Sequence, residues 1–443
     1  MVIKHSDRWS PPYVGIPAGG PMSAKAKFIT DGVQQRYGLR TRALRHWVSL
    51  PKYHCVELEL RSEVGEKRLQ AVWVGSEEYE KFRRSSPGAF DPLEAWLRQM
   101  EAGGPGTRRP WERPGWFAQA QNWMQHELDR LQIQVTGSVE QFMAFRLASC
   151  VLRVPTAEGY VYLKASLRQE PLEATLTPAL AQRWPDWVPA PLAVNERHNW
   201  TLSRDYDASG RELKYEDYPS IARGFGDLQV DSMDSPGDWR RLGCPMVSLT
   251  DLAAFMGEKD SLFGILVENG DDPLSEEEFG RLLACMAAWK TACQSLSEYP
   301  LPDALLHNDL WYPNLYLREA GFWITDWSGA MVGHPFLAVL KLLRFRSLEQ
   351  MGEVTLPDEE DCKRLEDAIA AEYLAPFARF DSPQRLREAL ALARSLEGPW
   401  RLFRWSRAIE FEEYGAFAYQ RIARMMRRVA RELIGSEIPP RAE

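Results

Sequence analysis

The sequence predicts an α+β protein in two lobes: a small antiparallel-sheet lobe, then a larger and mostly helical one, with an additional small α+β domain in front. Three observations lead there. Residues 139–205 hold five short runs rich in β-branched and aromatic residues around one helical stretch. Beyond about 215 the apolar residues recur at helical spacing, interrupted by extended segments only between 305 and 327. Upstream, EAGGPGTRRPWERPG at 101–115 replaces periodicity with glycine, proline and charge, so neither helix nor strand is expected through it. The expected division is therefore 1–100, a linker at 101–115, a small lobe at 116–205 and a helical lobe at 206–443.

In chain order, the first hundred residues offer IPAGG at 16–20, DGVQQRYGL at 31–39, and strand-like runs in VSLPKYHCVELEL and LQAVWVGSEEYEKF. WFAQAQNWMQHELDRLQ sets Trp116, Trp123, Met124, Leu128 and Leu131 at helical spacing and leads into the small lobe. There VEQFMAFR, SCVLRV and YVYLKA read as an antiparallel meander, the last two joined by the turn PTAEG. LEATLTPALAQRW follows as a helix, and APLAV with NWTLS gives two more strands around NERH. Next come the helical stretches SLTDLAAFMG and LSEEEFGRLLACMAAWKTACQSLSEY, a hairpin of LYL and FWITDW joined by REAG, and long helices from 360 to 434.

The 443 residues suffice for two or three cores, and contents of 45% hydrophobic and 26% charged residues are globular values. A net charge of -8 argues against nucleic acid as the main partner, because neutralising phosphates needs a basic surface. MVIKHSDRWSPPYVG lacks the apolar core of a signal peptide, and no run of about 18 apolar residues occurs. The expectation is a cytoplasmic protein with no membrane partner. Its six cysteines form no CxxC pair and no metal-spaced cluster, so reduced, mostly buried thiols are expected.

The segment LLHNDLWYPNLYL, residues 305–317, is apolar at both ends and polar in the middle. It places Asn314 five positions after Asp309, and a second carboxylate, Asp326, ends FWITD. Two carboxylates and an amide oxygen form a hard oxygen-ligand set suited to Mg²⁺ and a substrate hydroxyl. Such a set makes chemical sense for phosphoryl transfer.

His307-Asn308-Asp309 with Asn314, then Ile324-Thr325-Asp326-Trp327, resembles the aminoglycoside phosphotransferase and choline kinase branch of the protein-kinase-like fold. The resemblance implies an ATP- and Mg²⁺-dependent transfer of the γ-phosphoryl group to a hydroxyl of a small molecule. It also implies roles. Asp309 orients and deprotonates the acceptor hydroxyl, Asn314 and Asp326 hold the metal, His307 braces the loop, and Trp327 stands where protein kinases often have phenylalanine. Lys164, ending YVYLKA, takes the α and β phosphates, with Glu173 as its helix partner and Glu170 as the competitor. The backbone of Leu202 to Arg204 in WTLSRDY meets the adenine edge.

Two departures stand out. The nucleotide-covering loop is read as RVPTAEGY, which has only Gly159, so phosphate cradling rests on a short hairpin and Ser149. Where the family often has GDPxxDLA, this chain has GHPFLAVLKLL, with His334 and Ala338 in the matching places. That change slightly favours an alternative: a catalytically weak, nucleotide-binding or scaffold protein on a kinase fold.

Plainer readings stand beside these. Asp309 alone would be a loop carboxylate capping a helix, Lys164 an edge-strand solubiliser, Glu173 a charge suited to any first helical turn, and His307 a satisfied structural histidine. Trp400, Trp405, Glu410, Glu412 and Glu413 in GPWRLFRWSRAIEFEEYGAF read either as an acceptor pocket for an amine or as helix core and solvated face. Arg421, Arg424, Arg428 and Arg431 read as the wet side of an amphipathic helix. The first hundred residues weakly resemble a Nudix hydrolase domain, but Gln35 and Arg36 stand where its paired glutamates belong, so that helix cannot bind Mg²⁺ as the motif requires. Aminoglycosides, amino alcohols, sugars and homoserine-like compounds all suit the acceptor role, and oligomeric state leaves no mark on the sequence.

Overall fold

A computed structural model of the chain describes residues 2–5, 8–10, 14–15, 25–50, 53–63, 71–72, 84, 108–144, 148–168, 172–206, 213–268, 272–319, 321–344, 358–409 and 415–435. Its contacts divide the chain into two compact units: Met1–Leu167 with Trp200–Asp205 and Glu412–Ala416, and the remainder. Helices and small, mostly antiparallel sheets make a mixed α+β protein. Among the described residues no helix is long and apolar enough to cross a membrane.

In the first unit, α1 (Ala26–Tyr37) buries Ala26, Ile29, Val33 and Tyr37 and stops at Gly38, whose φ of 70° is a conformation glycine adopts at little cost. The ribbon β1 (Leu39–Leu50) and β2 (Tyr53–Glu63) follows. Then come α2 (Trp116–Arg130), β3 (Glu140–Met143), β4 (Ser149–Thr156), β5 (Gly159–Ser166) and β6 (Trp200–Arg204). The last four pair in the order β3-β4-β5-β6, every neighbour antiparallel. Residues upstream of 100 and those of this sheet fall in one unit, and Gln141 shows one cause. Its buried amide accepts from Ala43 N at 2.9 Å and donates to Ala43 O at 2.8 Å, tying β3 to β1. The stretch expected to be irregular contains a 3₁₀ turn, Pro110–Glu112, started by a proline whose φ is already suited to it and closed by the buried Arg109–Glu112 ion pair. Trp116 and Trp123 of α2 meet Trp200 of β6 at ring separations of 6.0 and 5.6 Å.

The second unit contains α3 (Glu173–Arg183), the short strand Ala193–Asn195, α4 (Tyr218–Ser232) and α5 (Glu276–Leu296). The last begins in a capping box: Ser275 Oγ accepts from Glu278 N at 3.1 Å, and Glu278 Oε2 accepts from Ser275 N at 2.7 Å. Next are β7 (Ala304–Leu306), the hairpin β8 (Leu315–Leu317) and β9 (Phe322–Ile324), β10 (Met331–Gly333) and α6 (Leu340–Leu343). Four helices end the chain: α7 (Glu359–Leu374), α8 (Pro383–Ser395), α9 (Glu397–Ile409) and α10 (Gly415–Gly435).

Buried polar groups of α4 and α7 fix β7, the strand that leads into LLHNDLWYPNLYL. Gln229 donates to Leu305 O at 3.1 Å and Pro335 O at 3.2 Å, Tyr373 donates to Gln229 Oε1 at 2.6 Å, and Ser232 Oγ accepts from Leu305 N at 2.9 Å. The hairpin is held by Trp187, whose carbonyl accepts from Ile324 N at 2.7 Å and whose ring meets Phe322 edge-on at 5.3 Å. Gly224 of α4 leaves room for that ring: a Cβ there would lie 1.8 Å from the indole. Gly224→Ala is therefore expected to destabilise the protein by about 2–3 kcal/mol, because helix or indole must move in a packed region. Urea denaturation measures it, and an unchanged midpoint would show that the indole is not packed there.

Candidate functional site

The polar loop grows out of β7 and is braced by His307, which is fully buried. Its Nδ1 accepts from Asp309 N at 3.2 Å and its Nε2 lies 2.8 Å from Thr325 O, so the hydrogen-bond pattern assigns the proton to Nε2. Burial pushes the imidazole down to about 4 against weaker pull from Asp309, and Trp327 packs against it edge-on at 4.6 Å. A neutral ring engaged at both nitrogens is a brace and has no capacity left for proton transfer. Asn308 comes next with φ of 61°, a left-handed conformation that asparagine tolerates better than most residues, and donates to Gly329 O at 2.9 Å.

Asp309, Asn314 and Asp326 are brought together. Asn314 sits on the one-turn 3₁₀ helix Tyr312–Asn314, which Pro313 helps set, and its Nδ2 donates to Asp309 Oδ2 at 2.9 Å and to Asp309 O at 2.9 Å. Because an ionised carboxylate only accepts, this contact identifies the nitrogen and leaves Asn314 Oδ1 as the free acceptor. Thr325 N donates to Asn314 O at 2.9 Å, which puts Asp326 beside Asn314. Asp326 has φ of 64°, and its Oδ1 accepts from Ser328 Oγ at 2.7 Å. Among the described residues, no group of three His, Cys, Asp or Glu forms a metal cage. One carboxylate and one amide oxygen nevertheless fit the usual protein share of Mg²⁺ coordination when nucleotide phosphates supply the rest.

Two cations missed by the sequence reading meet this loop. Lys341 of α6 forms an ion pair with Asp309 Oδ1 and lies 4.1 Å from the centroid of the Trp311 ring. Arg404 of α9 donates through Nη1 to Asn308 O. Burial works to raise the Asp309 carboxyl, but the Lys341 ammonium, with Arg404 adding to it, outweighs burial and holds the group below the ordinary carboxylate value. Asp309 is thus an ionised carboxylate with a side chain 39% exposed.

Other predicted residues lie on the small sheet and on α3. Lys164 of β5 pairs with Val151 on one side and Thr201 on the other, while Ser149 pairs with Ser166. Since side chains alternate, Ser149 and Lys164 share one face of the sheet, diagonally about 7–8 Å apart. Leu202 pairs with Leu163 and Arg204 with Val161, so both side chains take the opposite face; Leu202 is fully buried and Arg204 is ion-paired with Glu158. Glu173 opens α3 in the second unit and is 5% exposed. The next helix amide, Ala174 N, donates to the buried Asn199 Oδ1 at 3.0 Å. Glu170, Glu410, Glu412 and Glu413 lie outside the described residues.

The turn of RVPTAEGY needs correction as a cover for the phosphates. Gly159 is five residues before Lys164 on an extended strand, about 17 Å away, so the turn lies at the far end of the β4–β5 hairpin. The connection next to Lys164 and Ser149 is the one between β3 and β4, of which 145–147 lie outside the described residues.

No protein-family model matches the chain, and no curated protein matches it. Solved structures do. A choline kinase from Cryptosporidium parvum Iowa II is 13% identical with a TM-score of 0.44, over 73% of this chain and 93% of its own. The GDP complex of an aminoglycoside 2'-phosphotransferase-IIIa variant is 14% identical with a TM-score of 0.46, over 71% and 97%. An amicoumacin kinase in complex with AMP-PNP, Ca²⁺ and Ami is 11% identical with a TM-score of 0.42, over 72% and 95%. The structural neighbours are choline kinases, antibiotic phosphotransferases and related small-molecule kinases, and they include nucleotide complexes. What each binds is a property of that protein alone.

Trp400 is core, 3% exposed, as the plainer reading of the C-terminal helices expected. Arg431 is likewise engaged structurally, with Asp272 and Glu278. Lys341 did leave a trace in the sequence, as the single charge in the apolar run FLAVLKLL. Arg404 left none, since Arg401 and Arg407 flank it at the same helical spacing.

Proposed function

We propose that the protein is an ATP-dependent phosphotransferase that moves the γ-phosphoryl group to a hydroxyl of a small molecule. One observation carries this reading: a carboxylate held ionised, Asp309, hydrogen-bonded to an amide whose oxygen is left free, Asn314, beside a second carboxylate, Asp326. In the proposed reaction the acceptor hydroxyl donates its hydrogen bond to Asp309, its oxygen attacks the γ-phosphorus, and the proton passes to the Asp309 carboxylate as ADP departs. Asn314 and Asp326 would hold Mg²⁺, which supplies charge neutralisation on the phosphates. Lys164 and Glu173 keep the phosphate-clamp roles that the resemblance gave them, and Ser149 lies on the Lys164 face where a phosphate would run. Leu202 to Arg204 keep the adenine-edge role through their backbone alone. Catalysis then depends on positioning and charge more than on a strong base.

Asp326→Ala tests the metal assignment. Mg·ATP should raise the melting temperature of the unaltered protein, and Asp326→Ala should remove most of that shift while leaving the melting temperature without ligand within a few degrees. An undiminished shift would show that Asp326 does not hold the metal.

A second reading, a nucleotide-binding protein with weak turnover, is favoured by the Lys341 ion pair, which occupies one oxygen of Asp309. Slow ATP hydrolysis that depends on Asp309, with no stimulation by any hydroxyl compound, would support it.

A further inference from the structure

We infer that the acceptor is a small hydroxy acid whose carboxylate is bound by Arg404, with Lys341 beside it; this rests on the phosphotransferase reading above. Arg404 is half-buried and uses one of its five N–H donors, on Asn308 O; among the described residues it has no other hydrogen bond, and Asp309 and Glu397 attract it without either forming an ion pair with it. Its Nη2 lies 3.8 Å from the Cβ position of Gly329, in the turn that carries Asp326. A guanidinium fork with unused donors, bonded to the residue that precedes Asp309, matches a planar carboxylate.

The charge around Asp309 supports the same choice. Lys341 and Arg404 both act on one Asp309 carboxylate, and among the described residues two acidic groups of the neighbouring helices are already engaged: Glu397 with Arg344 at 2.8 Å, Glu432 with Arg401 at 2.9 Å. Among the described residues two cations thus act on one Asp309 carboxylate, so an amine-bearing acceptor at that carboxylate would meet like charge. A hydroxy acid supplies the missing anion. Because Arg404 is bonded to Asn308 and Asn308 adjoins Asp309, the hydroxyl and carboxylate of the acceptor should be only a few bonds apart. In the reaction the acceptor oxygen forms the new bond to the γ-phosphorus, the bridging β–γ bond breaks, ADP leaves and the hydroxyl proton goes to Asp309. The product is a phosphorylated hydroxy acid.

Glycolate, glycerate and 3-hydroxybutyrate would be compared with ethanolamine and choline, both as acceptors in an ATP-consumption assay and as ligands in thermal shift without nucleotide. Hydroxy acids should stabilise the protein and stimulate ATP consumption, and the amino alcohols should do neither. Arg404→Gln, which keeps a donor for Asn308 O, should raise the KM for the hydroxy acid roughly 10- to 100-fold. Arg404→Lys, which keeps the charge and loses the fork, should fall between. Stimulation by amino alcohols in place of hydroxy acids, or a KM unmoved by Arg404→Gln, would overturn the inference and leave the phosphotransferase reading standing. Loss of the Mg·ATP response with hydroxy-acid stabilisation intact would instead overturn the reading of the reaction and leave the anion site.

Discussion

Asp309→Ala should lower phosphoryl transfer about a thousandfold, equivalent to about 4 kcal/mol of transition-state stabilisation, while leaving the thermal shift with Mg·ATP nearly intact. The loss of transfer is expected from placement: the carboxylate is ionised, partly exposed, and aligned by Asn314 and by its own amide's bond to His307. The shift should persist because the proposed phosphate and metal groups are other residues. Removing Asp309 also frees Lys341, a cation that would sit well near nucleotide phosphates, so nucleotide affinity should hold or rise. The measurement is ATP turnover with and without acceptor, alongside the shift. Retained turnover would remove the base role; loss of turnover and shift together would mean that Asp309 supports the nucleotide site.

Acidification from pH 7 to pH 5 should cost about 4 kcal/mol of stability through two buried histidines. Burial depresses His307 to about 4 and His334 to about 3, whereas both return to the ordinary 6.5 on unfolding. Below 6.5 the unfolded chain binds protons that the folded chain refuses, so stability falls as pH drops and this contribution is flat above 6.5. Over the 1.5 units from 6.5 to 5 each group contributes about 2 kcal/mol at 1.36 kcal/mol per unit. Against a usual total of about 5–15 kcal/mol this is a large fraction. His334 caps the short helix Pro335–Leu337 by accepting from Phe336 N at 3.4 Å, and asparagine can do the same. His334→Asn should therefore fold and lose about half of the acid sensitivity, read as the difference in urea midpoints between pH 5 and pH 7. The same difference as in the unaltered protein would rule out His334 as a source.

What was legible in the sequence was what is local. Asp309 meets Asn314 five residues on, in a loop with a proline to direct it, so spacing alone carried that contact. The hairpin of LYL and FWI, the helix from Trp116 and the helix within LSEEEFGRLLACMAAWKTACQSLSEY were readable for the same reason: each is decided within a short stretch of chain. Lys341 and Arg404 reach the loop from 32 and 96 residues away, and only the packing of α6 and α9 decides which side chain arrives. RVPTAEGY misled because its glycine drew the eye, while the length of the strand after it put that glycine at the wrong end. His334 was noticed for standing in an unusual place, but its depressed pKa is a property of burial that no pattern of letters displays.

The clamp of Gln229 and Tyr373 also bears on how the protein comes to have a site at all. Its bonds span 76, 106 and 144 residues, so they close only after most of the second unit has been made and collapsed. Loop-closure entropy must be met before such contacts reward it, which puts them late on any folding route. A nascent chain ending at residue 340 would already possess Asp309, Asn314 and Asp326, yet without Tyr373 it would lack one jaw of the clamp that sets the strand before them. Competence arrives with the C-terminal helices, long after the residues that would do the chemistry.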